Sequence, residues 1–153
     1  MRMNSEVHQK FMHHALKLAE KGMFSCKPNP RVGCVIVKDN KIIGEGWHRK
    51  SGEDHAEIIA ITSAANTLKD WRLTGCNLYV TKEPCPMCAG ALINARIKFA
   101  GFGMYDEQEG CCGSLYQICR DPRFKHQLTV KGGILEDHCN ALIQEFFTQK
   151  RKL

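Results

Sequence analysis

Apolar residues in this chain recur first at helical spacing and then at strand spacing, and the switches between the two mark out its elements. Val7, Phe11, Ala15, Leu18 and Ala19 fall on one face of a helix predicted over residues 5–21, with Gly22 as its stop. The apolar run over 32–37 predicts a short strand, Asp39-Asn40 a turn, and 41–47 a returning strand, so that the three form a hairpin. Residues 55–68 predict a helix with Ile58, Ile59 and Ile61 directed at a core. Further strands are predicted over 77–81, 97–102 and around 128–130. They alternate with helices that open at Pro84 or Pro86, near 114–119, and over 136–150. Such alternation implies parallel pairing within one sheet covered on both faces. The expected class is therefore α/β, a three-layer α/β/α sandwich on a five-stranded mixed sheet, with residues 1–153 as a single domain.

Composition narrows this picture without redirecting it. A chain of 153 residues buries enough surface to fold without disulfide staples. No apolar run approaches the roughly 20 residues that cross a bilayer. The polar first ten residues lack the apolar stretch of a secretory signal, so a cytoplasmic protein is expected, with no membrane partner. Against that background nine cysteines point to metal binding or buried free thiols, not to a disulfide framework. Cys34, inside an apolar strand, reads as a small buried hydrophobe. The adjacent Cys111-Cys112 has no companion pair at ligand spacing and reads as structural. The net charge of +6 is compatible with a polyanionic partner but does not demand one. Its cations gather at Arg120, Arg123, Lys125 and His126 and again at 150–152, either as a solvated surface or as phosphate-directed charge.

The chemistry concentrates in two short segments. His55-Ala56-Glu57 is followed thirty positions on by Pro84-Cys85-Pro86-Met87-Cys88. One imidazole and two thiolates suit zinc, whereas calcium and magnesium prefer oxygen donors. The predicted helix openings place His55 at one N-terminus and Cys85 and Cys88 at another, where negative charge is favoured. Three protein ligands leave the fourth tetrahedral position open, the mark of a catalytic site. Glu57, two residues beyond the histidine, then stands within reach of that position as a general base and acid. This H-x-E…P-C-x-x-C arrangement is the signature of zinc deaminases acting on nucleobases. The competing possibility is a closed structural site that recruits Cys111, Cys112 or Cys119 as its fourth ligand.

At these residues the chain resembles the cytidine/deoxycytidylate deaminase superfamily over nearly its whole length. Arg72-Leu73, the run over 78–92, Arg96-Ile97, Gly113-Ser114-Leu115, Gly133-Ile134-Leu135 and Phe146-Phe147 before a basic end resemble the bacterial tRNA adenosine deaminases. The run over 28–35 and Gly46-Trp47-His48, leading into the zinc histidine, look more like the pyrimidine deaminase of riboflavin synthesis. The resemblance implies that Asn29, Val32 and His48 line the base pocket. It also implies that Phe147, Lys150 and Arg151 meet the anticodon arm of tRNA by stacking and phosphate contact, and that the protein is a homodimer. Three functions follow. The first is adenosine-to-inosine deamination at the tRNA wobble position. The second is deamination of a small free substrate, either the riboflavin-pathway pyrimidine or a nucleobase or nucleotide. The third is a non-catalytic zinc-stabilised RNA-binding module.

Overall fold

The computed structural model describes residues 5–21, 31–48 and 54–142. Helix α1 (Ser5–Glu20) buries Phe11, Ala15, Leu18 and Ala19 of the predicted stripe, with His8 and Met12 beside them and Val7 half-buried. Strands β1 (Gly33–Lys38) and β2 (Lys41–Trp47) form the hairpin. Asp39 and Asn40 both take positive φ (51° and 62°), the left-handed pair that matches the twist of a two-residue turn. Helix α2 (Ala56–Leu68), strand β3 (Asn77–Lys82), helix α3 (Pro86–Asn94), strand β4 (Phe99–Met104), a 3-10 turn (Ile118–Arg120) and strand β5 (Thr129–Lys131) follow. Residues 136–142 are helical, and the remainder of the last predicted helix lies outside the described residues.

The five strands run in the order β2-β1-β3-β4-β5. β1 is antiparallel to β2 and to β3, whereas β3-β4 and β4-β5 are parallel, as the strand-helix alternation of the second half implies. Period-two alternation then sorts the strand residues onto two faces. Cys34, Ile36, Leu78, Val80, Ala100 and Phe102 join the layer of α2 and α3. Val35, Val37, Tyr79 and Phe99 join Phe11, Met12, Ala15 and Leu18 of α1, with Ile134 and Cys139. The result is the expected α/β/α sandwich. Cys34 is fully buried, as a small hydrophobe in β1 should be.

Three expectations are corrected. Ile58 and Ile59 do not lead the packing of α2; they are half-buried on its flanks, while Ala56, Glu57, Ala60 and Ala64 face inward and Ile61, half-buried, packs against the core as expected. The cause lies in β2, where a Cβ on Gly44 would stand 2.5 Å from the Ala60 carbonyl and one on Gly46 2.3 Å from that of Ala56. Helix and strand backbones approach so closely that nothing larger than a methyl fits between them. The strand predicted over 97–102 starts two residues later, because the end of α3 continues through left-handed Arg96 (φ 63°) to the Ile97 N–H, which donates to the Leu92 carbonyl at 3.1 Å. Finally, the helix predicted near 114–119 is a turn closed by a Cys112–Gln117 bridge, and only Ile118–Arg120 takes 3-10 form. Gly113, at φ 150°, occupies a conformation that a helix does not use.

Candidate active site

Topology brings the chemistry to one edge of the sheet. Since β1 runs against its neighbours, its start, the end of β2 and the ends of β3 and β4 all lie at the same edge. That edge, outside the carboxyl ends of parallel strands, is where α/β sheets open a crevice. His55 is the N-cap of α2 and Cys85 the N-cap of α3, both with extended backbone, and Pro86 takes the first turn of α3. Proline suits that position because its missing N–H would have no helical partner. Cys88, one turn along, returns its sulfur towards the cap.

The three side chains converge. His55 Nδ1 lies 3.6 Å from Cys85 Sγ and 3.5 Å from Cys88 Sγ, and all three donor atoms lie within 4.8 Å of one another. A tetrahedral zinc with ordinary bond lengths needs about 3.6 Å between nitrogen and sulfur donors. The donors therefore already stand at coordination spacing, and their imidazole-thiolate chemistry suits zinc. Among the described residues no other group of histidine, cysteine and carboxylate side chains comes together this way. The cysteines considered for closing the site are placed otherwise. Cys112 and Cys119 face each other at 3.5 Å between buried sulfurs, and Cys111 contributes to the pocket wall without joining the cluster.

Glu57 is buried at 4% exposure and turned towards the same cluster. Burial raises its carboxyl above the ordinary range, and the neighbouring Cys85 sulfur adds to the effect. Cys85 shifts the other way, down to about 5, first because the Cys88 thiol beside it stabilises the thiolate. Cys88, shielded by Cys85 and by burial, is pushed up.

The cluster floors a cavity of about 740 Å³. Val32 and His48 form one wall, joined by the His48 N–H donating to the Val32 carbonyl at 3.0 Å. The His48 ring stands perpendicular to that of His55, with 6.4 Å between centroids. The structure thus sets two of the three sequence-predicted pocket residues beside the cluster. Asn29, Phe147, Lys150 and Arg151 lie outside the described residues.

The opposite wall was not anticipated. Lys82, Asp106, Gln108, Glu109, Leu115 and Tyr116 line it, mostly from the connection that follows β4. The Lys82 ammonium pairs with Asp106 Oδ2 at 3.2 Å, while Asp106 Oδ1 accepts the N–H groups of Gln108 and Glu109 at 3.0 and 3.2 Å. A cation ending a strand that points into the crevice was the available signal, but nothing in Lys82 alone names its partner 24 residues on.

Comparison with known proteins agrees with this geometry. The family model described as the cytidine and deoxycytidylate deaminase zinc-binding region matches residues 5–104. A tRNA-specific adenosine deaminase of Bacillus subtilis is 38% identical over 146 residues, 93% of this chain and 89% of the relative. Among solved structures, Acinetobacter baumannii RibD superposes with a TM-score of 0.78 at 36% identity over 94% of this chain. The chain spans only 39% of that RibD chain. A structure from studies of A-to-I editing by tRNA:A34 deaminases at the wobble position of transfer RNA superposes with a TM-score of 0.76 at 32% identity, covering 87% of this chain and 98% of that one.

Proposed function

The chain belongs to the cytidine and deoxycytidylate deaminase family, and from that premise we propose that it is a zinc-dependent hydrolase converting adenosine to inosine at the tRNA wobble position. One observation carries the chemistry: three soft donors at coordination spacing, with the buried Glu57 carboxylate turned towards them at the base of an open pocket. His55, Cys85 and Cys88 would hold zinc, which would supply a water activated near neutral pH. Glu57 would take one proton of the attacking water as its oxygen bonds to the amino-bearing carbon, and would pass that proton to the ring nitrogen. The same carboxyl would then carry the second water proton from the newly bound hydroxyl to the amino group, which leaves as ammonia when the carbon-nitrogen bond breaks. Val32 and His48 orient the base, and Glu57 gives a non-catalytic zinc-stabilised module no support.

The choice of tRNA rests on the relatives named tRNA-specific adenosine deaminase that align along most of their length. In this reading Asn29 completes the base pocket, Phe147, Lys150 and Arg151 meet the anticodon arm, and the protein is a cytoplasmic homodimer built from one deaminase domain. Among the described residues no helix is long and apolar enough to cross a membrane. Light scattering on the purified chain checks the dimer. A second reading, deamination of a small free pyrimidine or nucleotide, is favoured by the His48 imidazole in the pocket wall, where a polar edge meets the base. One panel decides between them. Ammonia release from an anticodon stem-loop with a wobble adenosine, and none from free nucleotides, supports the first; the reverse result sinks it.

A further inference from the structure

Glu83 stands between the metal-bearing turn and the far wall of the pocket, whose lining it joins without being one of the metal donors. It follows β3 directly, two residues before Cys85, and is 3% exposed. Burying a carboxylate is costly unless its oxygens are fully engaged. Here every donor comes from one connection. Oε1 accepts the Asp106 N–H at 3.0 Å and the Ser114 hydroxyl; Oε2 accepts the N–H groups of Cys112 at 3.0 Å and Ser114 at 2.9 Å. Gly110 closes over the carboxyl so tightly that a Cβ there would meet the Glu83 Cδ at 2.3 Å. Two backbone hydrogen bonds flank the arrangement, Glu83 N–H to the Met104 carbonyl at 2.8 Å and Cys111 N–H to the Pro84 carbonyl at 2.9 Å.

The connection gathered in this way supplies Asp106, Gln108, Glu109, Cys111, Leu115 and Tyr116 to the cavity. Apart from the Cys112–Gln117 bridge and the turns around it, no regular ladder holds it. Beside the Lys82–Asp106 pair and the turns within the connection, four of the bonds that gather it converge on this one carboxylate between β3 and the zinc turn. We propose that Glu83 is a positioning residue for substrate, fixing residues 106–114 as the pocket wall and thereby setting substrate affinity and selectivity without acting on the metal. This rests on the deaminase reading for what the pocket holds, but the clamp itself can be tested without turnover.

Glu83→Gln is the decisive variant because it keeps the volume. Its amide oxygen can still accept the Cys112 and Ser114 N–H groups, while its NH2 faces the Asp106 N–H and loses that bond. Charge-assisted hydrogen bonds to a buried carboxylate are among the stronger ones, so KM rises about tenfold with kcat nearly unchanged. Zinc per chain stays at the parent level, and amide exchange quickens at Asp106 and its neighbours but not in β3. Affinity for a stem-loop carrying inosine at the wobble position falls in step with KM. Unchanged exchange and affinity would overturn the proposal, and so would loss of zinc, which would assign Glu83 to the metal turn instead. Glu83→Ala, should it fold, enlarges each effect. If the parent chain deaminates nothing in the panel, the functional reading fails, and the exchange and zinc measurements still judge the clamp.

Discussion

The floor and the far wall of the pocket are built by different means. The floor is assembled from two helix openings whose ligand spacing is local, with Cys85 and Cys88 one turn apart in α3. The wall is an irregular connection gathered by long-range bonds to Glu83, across 23 to 31 residues of sequence. Floors of the first kind tolerate little variation because coordination geometry is demanding. Walls of the second kind can be reshaped while the reaction at the floor is kept, which allows related folds to serve different substrates.

Breaking the floor should have the largest consequences. Cys88→Ser removes a soft donor from a fully buried position, so zinc content drops towards zero and deamination with it; metal analysis beside an ammonia assay checks both. Glu57→Gln should leave zinc in place and lower kcat by about 10²–10⁴-fold, the usual worth of a positioned general acid-base. Retained turnover in that variant would remove Glu57 from the mechanism. Between floor and wall lies the contact of α2 on β2. Gly46→Val forces side-chain atoms into the Ala56 carbonyl and should cost about 3 kcal/mol in denaturant unfolding, with the site displaced as α2 shifts.

Changes confined to the wall should be milder. Lys82→Met leaves Asp106 without its cation; an ion pair this close to solvent is worth at most about 1 kcal/mol, so KM should change by about fivefold or less with kcat held. A matching loss in kcat would mean that wall and floor are coupled. The smallest effect is expected on the other face of the sheet. There His8 Nδ1 meets the Tyr79 hydroxyl at 2.7 Å and the ring stacks on Phe99. Burial, with Lys131 nearby, lowers the His8 pKa, so the unfolded chain takes up the proton first. Stability from this group is present above the ordinary histidine pKa of about 6.5 and is lost as pH falls below it. His8→Gln should flatten that part of the profile in thermal melts and leave the kinetics unchanged.

Legibility followed the range of the interactions. The face of α1, the Asp39-Asn40 turn, the bounds of β2 and the cluster of His55, Cys85 and Cys88 could all be read from spacing, because each depends on neighbours within a few positions or on ligand chemistry with few alternatives. The inward alanines of α2 could not, since their selection depends on glycines in a different element. The turn at Cys112–Gln117 was hidden for a similar reason: its apolar residues carry helical spacing, yet its amide groups are spent on Glu83.

By itself the amino-acid order determined the class of sheet, the metal donors and the acid beside them, for these depend on periodicity and on chemistry that only a few side chains possess. Tertiary structure alone decided what stands opposite the donors. The partners of Glu83 and Lys82 are backbone amides and a carboxylate brought near by the parallel pairing of β3 and β4. A backbone amide is the same at almost every position, so no pattern of residue types could have announced which ones that carboxylate would bind.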